Sequence, residues 1–132
     1  PTLHTIRPKG SLASWQNTVA NSCEGNPYLV FSLCTAFVAP LLKFANMDSF
    51  GVHLYGTSSR GKTTSAQVVA SVYGCGADPA DSPDQAYCQR WNSTANAFEG
   101  LAAAHNDGVL ILDELHTCNA KDFASVIYNL LG

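Results

Sequence analysis

The stretch LYGTSSRGKTTSAQ, residues 54–67 of a 132-residue chain, decides the fold. Its segment 56–63 fits the phosphate-loop pattern G-x-x-x-x-G-K-[ST] at every fixed position. The run Phe50–Tyr55 before it predicts a strand, and apolar residues at helical spacing follow from Lys62 onward. A strand, a loop and a helix in this order are the context that the pattern requires. The alternative, a glycine and serine turn with an exposed lysine, would need neither neighbour.

The residue types in this loop suit the binding of a triphosphate. Glycines at positions 56 and 61 allow a backbone that curls its N–H groups around one anion. Lys62 is expected to reach the β- and γ-phosphates, and the hydroxyl of Thr63 to bind Mg²⁺. The predicted nucleotide-binding residues are Gly56, Thr57, Ser58, Ser59, Arg60, Gly61, Lys62, Thr63 and Thr64.

A second stretch, VLILDEL at residues 109–115, supplies the acidic residues that phosphoryl chemistry needs. Its first five residues predict a strand buried on both faces. Asp113 at the strand end is expected to hold Mg²⁺ together with Thr63, commonly through water. Glu114 is the predicted catalytic partner of Lys62, because a carboxylate there can orient the attacking water. The alternative reading is two surface acids at a strand end.

The rest of the chain predicts helices around these two motifs. Ser11 can cap a first helix, and Gly25-Asn26-Pro27 ends it and starts a second. The second helix is apolar nearly all round, which predicts burial on several sides. Ser93 or Thr94 is expected to cap a later helix, and Asn119 the last one. The predicted inward residues of these two helices are Phe98, Leu101, Ala102 and His105, then Phe123, Val126, Ile127 and Leu130.

Strands that alternate with helices predict an α/β fold with a parallel sheet. A third short strand is predicted within YCQRW, residues 87–91, and Gly74-Cys75-Gly76 is expected to stop the helix that follows the loop. Trp91 in this stretch is interpreted as a packing residue.

The composition limits the partners. Hydrophobic residues make up 46% and charged residues 13%, which is typical of a globular domain. A net charge of −3 does not provide the basic face that extended nucleic-acid binding needs. Five cysteines without a CxxC pattern predict free thiols in a reducing, cytoplasmic setting. The apolar segment 26–46 is interrupted by Pro40 and predicts a buried helix, so no membrane partner is expected.

Four separate stretches resemble a known family. They are GNPYLVFSLCTAFVAPLL, FGVHLYGTSSRGKTTSAQVVASVYG, WNSTANAFEGLAAAHNDGVLILDEL and VIYNLLG, and together they span about residues 11–132. The chain is similar to domain of unknown function 927, a group of helicase-like ATPases of phages, plasmids and mobile elements. The resemblance implies a P-loop NTPase core of the additional-strand type, related in plan to ring-forming replicative helicases.

The resemblance also implies a domain organisation. Residues 1–10 would be a linker, 11–46 an N-terminal helical segment, and 47–132 a P-loop NTPase core that is incomplete at its C-terminus. In that class a further strand with a polar sensor residue lies between the two main strands, and an arginine then acts on a neighbour's nucleotide. Both parts would follow Gly132, so the sheet of this segment is expected to have a gap.

Three functions are compatible with these motifs. The first is ATP binding and hydrolysis with Mg²⁺, as the motor of a helicase-like replication protein that forms a homo-oligomeric ring and meets DNA through its other parts. The second is a degenerate module that binds nucleotide without hydrolysis to order an assembly. The third, a small-molecule kinase, is disfavoured by Glu114, since a kinase needs no residue to activate water.

Overall fold

The structure, a computed structural model, describes residues 6–57, 61–91, 95–113 and 120–131, with the backbone alone at 95–96 and 120–123. Helices dominate it, and two short strands form its sheet. The helical elements are α1 (Leu12–Trp15), a π-helical turn (Gln16–Ala20), α2 (Asn21–Cys23), α3 (Pro27–Val38), a 3₁₀ turn (Ala39–Leu41), α4 (Lys62–Tyr73), α5 (Ala95–Ala104) and α6 (Ala120–Leu131), and the strands are β1 (Gln89–Arg90) and β2 (Leu112–Asp113).

Local capping sets the N-terminal helices. The side chain of Ser11 accepts a hydrogen bond from the N–H of Ser14 at 3.1 Å and so caps α1, as predicted. Asn26 accepts bonds from the first-turn N–H groups of α3, where Pro27 takes the first helical position. The two predicted helices and the break between them are therefore confirmed, with a π-helical turn inside the first.

Helix α3 packs against α4 along a narrow stripe of small residues. Ser32 and Ala36 are its buried residues, and their size lets the two helices approach closely. The prediction that this helix is buried on several sides is wrong, because Tyr28, Phe31 and Phe37 are each at least half exposed. An all-apolar composition shows that a helix can be buried, but only the number of neighbouring elements decides how many sides are covered.

Helix α4 begins at Lys62 and ends at Gly74, as the sequence predicts. Val69 and Ala70 are buried, and Ala66 and Tyr73 on the same face are half-buried. The N–H of Gly74 closes the last turn on the carbonyl of Ala70 at 2.9 Å. This helix therefore joins the loop at one end to the interior at the other.

The sheet is parallel but smaller than predicted. Strand β1 confirms the short strand expected within residues 87–91, and it pairs with β2 in the register Gln89↔Leu112 and Arg90↔Asp113. The predicted strand at 109–113 is shortened to Leu112–Asp113, and both residues are half-buried rather than fully buried. A strand can form ladder hydrogen bonds only along the length of its partner strand. Because β1 has two residues, β2 is paired over two residues as well.

The predicted strand Phe50–Tyr55 is wrong. Neither β1 nor β2 pairs with this segment, and its large apolar residues are exposed, from 40% at Leu54 to 85% at Tyr55. Residues of high β-propensity favour an extended backbone, but a strand also needs a neighbouring strand with which to exchange hydrogen bonds. The sheet therefore holds the Asp113 strand without the segment that leads into the loop.

The core lies between the sheet and helices α5 and α6. Trp91, Phe98 and Val126 are buried together, and the half-buried Leu101, Leu112, Ile127 and Leu130 pack against them. The rings of Trp91 and Phe98 lie 5.0 Å apart. The inward faces predicted for the last two helices are confirmed where side chains are described, and the packing role predicted for Trp91 is confirmed with them. The caps expected at Ser93, Thr94 and Asn119, and the side chain of Phe123, lie outside the described residues.

None of the described helices has both the length and the apolar character that crossing a membrane requires.

Candidate functional site

The two glycines of the loop sit in backbone conformations that side chains disfavour. Gly56 has φ 150° and Gly61 has φ 79°. A Cβ added at either position would meet no atom of the described residues within 4 Å, so the backbone angles are the reason for glycine here. Gly61 is the N-cap residue of α4, and the loop therefore turns sharply into the helix.

The first turn of α4 presents its N–H groups to the loop. The first intrahelical bond runs from the N–H of Ser65 to the carbonyl of Gly61 at 2.9 Å. The N–H groups of the preceding helical residues have no partner within the helix, and no side chain among the described residues caps this end. Together with the helix dipole, such an end attracts anions.

Lys62 folds back over the loop. Its ammonium group donates to the carbonyl of Gly56 at 2.6 Å and reaches the carbonyl of Thr57 at 3.4 Å. An ammonium has three donor hydrogens, so a third remains for a ligand. The lysine charge is thus held at the start of the loop by these two carbonyls.

The loop meets the sheet at Thr63 and Asp113. The hydroxyl of Thr63 donates to Oδ2 of Asp113 at 3.2 Å, although the two residues are 50 positions apart in the chain. Both side chains are half-buried. The sequence analysis expects these two residues at one site, and the structure brings them into contact.

Strand β1 supports Asp113 from the other side. The N–H of Trp91 donates to the backbone carbonyl of Asp113 at 3.1 Å, and the N–H of Gln89 donates to the carbonyl of Ile111 at 2.9 Å. Cys88, immediately before β1, is 1% exposed. Burial, followed by the nearby charges of Asp113 and Asp78, raises the pKa of the Cys88 thiol to about 12, so this thiol stays protonated and unreactive.

The residues present suit a magnesium ion bound together with a nucleotide. Mg²⁺ takes six oxygen ligands and is commonly held by one or two carboxylates plus phosphates and water. The Thr63 hydroxyl and the Asp113 carboxylate supply oxygens of this kind at the mouth of the loop. Among the described residues, no group of three or more His, Cys, Asp or Glu side chains converges on a point. A metal here would therefore depend on phosphate oxygens for part of its shell.

The predicted site residues divide into two groups. Thr57 and Thr64 are exposed, and Lys62, Thr63 and Asp113 come together as described above. Ser58, Ser59, Arg60 and Glu114 lie outside the described residues.

The far end of α4 carries contacts that the sequence analysis did not predict. The indole N–H of Trp15 donates to the Ser71 hydroxyl at 3.0 Å, and the Tyr73 hydroxyl donates to the carbonyl of Ala36 at 2.6 Å. Tyr73 also stacks on Tyr87, with ring centres 5.5 Å apart. Burial raises the pKa of both tyrosines, and a hydrogen bond from Tyr87 to the Val109 carbonyl opposes part of this effect. Because these contacts join distant segments, no local pattern in the sequence could have indicated them.

Comparison with known proteins identifies the family. The family model of DUF927, a domain of unknown function, matches residues 2–131. No curated protein and no solved structure matches the chain. Since the match covers nearly the whole sequence, the chain belongs to the DUF927 family.

Proposed function

We propose that this chain is a P-loop NTPase core that binds and hydrolyses ATP with Mg²⁺, as the motor of a helicase-like replication protein of a mobile element or phage. The observation that carries the proposal is the 3.2 Å contact between Thr63 and Asp113. It unites the phosphate-loop pattern with the acidic strand end, two motifs that arise from separate parts of the sequence. The fold class, an additional-strand type with a parallel sheet, is part of the same proposal.

The loop residues would act mainly by positioning charge. The N–H groups at the start of α4 bind phosphate oxygens, and Lys62, held by the carbonyl of Gly56, adds a fixed positive charge beside them. The Thr63 hydroxyl donates a hydrogen bond to Asp113, which leaves the lone pairs of the Thr63 oxygen to face a cation. When bound, Mg²⁺ would neutralise charge that develops on the phosphates.

Hydrolysis would need one further group, and Glu114 is the candidate. A water molecule attacks the γ-phosphorus, the bond between that phosphorus and the bridging oxygen breaks, and ADP leaves with the bond electrons. Glu114 accepts the proton that the water loses, and inorganic phosphate is the second product. Its position next to Asp113 in sequence is the reason for this assignment.

Lys62→Ala tests the binding half of the proposal. In the full-length protein we expect the variant to abolish ATP turnover and weaken ATP binding, measured by phosphate release and by calorimetry. Lys43→Ala is the matched control, because Lys43 is a surface lysine outside the loop. Its ion pair with Asp107, at 3.6 Å, is largely exposed and should contribute little. Equal ATP affinity in wild type, Lys62→Ala and Lys43→Ala would refute nucleotide binding at this loop.

Glu114→Gln separates a motor from a module that binds nucleotide without turnover. For a motor, we expect the rate of phosphate release to fall about 10²- to 10⁴-fold while ATP affinity is retained. If the wild-type full-length protein binds ATP but releases no phosphate, the chain is instead a nucleotide-binding module that orders an assembly. An unchanged rate in Glu114→Gln would remove this residue from the mechanism.

The wider role is proposed from the family resemblance and the charge. With seven basic and ten acidic residues, this chain would not supply most of the phosphate contacts to DNA, so other parts of the full-length protein would provide them. A homo-oligomeric ring would allow one subunit to act on the nucleotide of the next.

A further inference from the structure

Arg90 lies directly beside the acidic residue of the site. It is the register partner of Asp113 in the parallel pair of strands. Hydrogen bonds fix this register on both sides of Arg90, from Gln89 to the carbonyl of Ile111 and from Trp91 to the carbonyl of Asp113. Neighbouring strands lie about 4.8 Å apart, so the two backbones are as close as a sheet allows.

The pleat of the sheet places Arg90 on the face where Asp113 contacts Thr63 of α4. Leu112 and Trp91 both pack into the Phe98 and Val126 core on the side of α5 and α6. Side chains alternate between faces along a strand, so Arg90 and Asp113, each one position away, project from the opposite face. On that face the Asp113 carboxylate contacts Thr63 of α4.

Arg90 is half-buried, so its side chain lies along the protein and does not extend fully into solvent.

We propose that Arg90 is a second phosphate-binding cation, which contacts the terminal phosphate of a bound nucleoside triphosphate from the sheet side. This inference rests on the proposed function of the loop. Lys62 and the α4 N-terminus would hold one side of the phosphate chain, and Thr63 with Asp113 would hold the metal ion that neutralises its charge. A guanidinium beside Asp113 would face the γ-phosphate and can bind two of its oxygens at once.

The test compares ATP with ADP in variants of one strand. Arg90→Gln keeps most of the side-chain length and removes the charge, Arg90→Lys keeps the charge, and Gln89→Ala is the control on the opposite face. Affinities for Mg²⁺–ATP and Mg²⁺–ADP are measured by calorimetry on the full-length protein, and folding is checked by thermal unfolding. We expect Arg90→Gln to weaken ATP binding about tenfold to hundredfold and ADP binding less than about twofold. Arg90→Lys should recover part of the loss, and Gln89→Ala should change neither affinity.

The possible outcomes separate this inference from the proposed function. If wild type binds both nucleotides and Arg90→Gln binds them equally well, Arg90 contacts no phosphate and the inference is wrong. An equal loss of ATP and ADP affinity also overturns it, because Arg90 would then support the fold or the β-phosphate. If Arg90→Gln does not fold, a selective loss of ATP affinity in Arg90→Lys decides the question. Wild type that binds no nucleotide refutes both proposals together.

Discussion

At its N-terminal end α4 presents Lys62 and Thr63 to a polar opening, whereas its C-terminal end is held by contacts with three other segments of the chain, at Trp15, Ala36 and Tyr87. The first end begins at a glycine with positive φ, and no side chain in the described part of the chain caps it. The second is bonded through Tyr73 to the carbonyl of Ala36 and stacks on Tyr87. One helix therefore separates two tasks, because the end that can bind an anion contributes little packing and the other end supplies it.

Thr63→Val has the largest expected effect in this comparison. It changes the N-terminal end of α4, at Lys62 and Thr63, which we call the open end. Valine keeps the branched shape of threonine but removes the hydroxyl that donates to Asp113. We expect Mg²⁺-dependent ATP turnover to fall about tenfold to hundredfold, with a higher Mg²⁺ concentration needed for half-maximal rate. The free energy of unfolding should change by less than about 1 kcal/mol, because the side chain is only half-buried.

Thr35→Val is the matched control for this experiment. The hydroxyl of Thr35 is exposed on α3 and bonds the carbonyl of Phe31 at 3.1 Å, so the same atoms are exchanged away from the loop. Turnover and Mg²⁺ dependence should equal those of the wild type. A large loss of stability in Thr63→Val, with turnover per folded molecule unchanged, would contradict the division of tasks between the two ends.

Tyr73→Phe weakens the C-terminal end of α4, which we call the anchored end because Tyr73 bonds Ala36 and stacks on Tyr87 there. The variant keeps the ring that stacks on Tyr87 and removes only the hydroxyl bonded to Ala36. We expect the free energy of unfolding to fall by about 0.5–1.5 kcal/mol, measured by urea denaturation, while ATP affinity stays the same. Tyr28→Phe is the control, since Tyr28 is 79% exposed and should lose almost nothing. A drop in ATP affinity without loss of stability would show that the two ends are coupled.

The difference between the ends also explains what the sequence could predict. The open end depends on a local pattern, so Gly61, Lys62 and the start of α4 follow directly from residues 56–63. The contact between Thr63 and Asp113 could also be predicted, because phosphoryl chemistry needs the loop hydroxyl and an acidic strand end at one metal ion, although the strand expected before the loop is absent. The chemistry of such motifs requires fixed residue types at fixed spacing.

The anchored end depends on partners that no spacing specifies. Trp15 and Ser71 are 56 positions apart, and Tyr73 bonds a backbone carbonyl, which any residue could provide. The same limit explains the wrong strand at 50–55 and the overestimated burial of α3. In each case composition indicates which residues tolerate a strand or a buried helix, but the partner that completes it is a property of the whole fold.

The smallest expected effect is on the pH dependence of stability and comes from His105. Its ring contacts Tyr87, the residue on which Tyr73 of α4 stacks. Its ring meets the edge of Tyr87 at 5.3 Å, its Nδ1 bonds the carbonyl of Leu101 at 2.7 Å, and its buried Nε2 has no partner among the described residues. Burial lowers the pKa of His105, and the Leu101 bond opposes part of that effect, so the neutral ring is the form that the fold accommodates.

The sign of the pH dependence follows from this direction. Because the folded pKa lies below the unfolded value of about 6.5, the unfolded chain binds more protons as the pH falls. The stabilisation is complete above pH ~6.5 and is lost as the pH falls through the folded pKa. Urea unfolding from pH 8 to 5 should show this decline, and it should be smaller in His105→Phe, which keeps a ring against Tyr87 but cannot titrate. Identical pH profiles in wild type and His105→Phe would exclude His105 as the source of the decline.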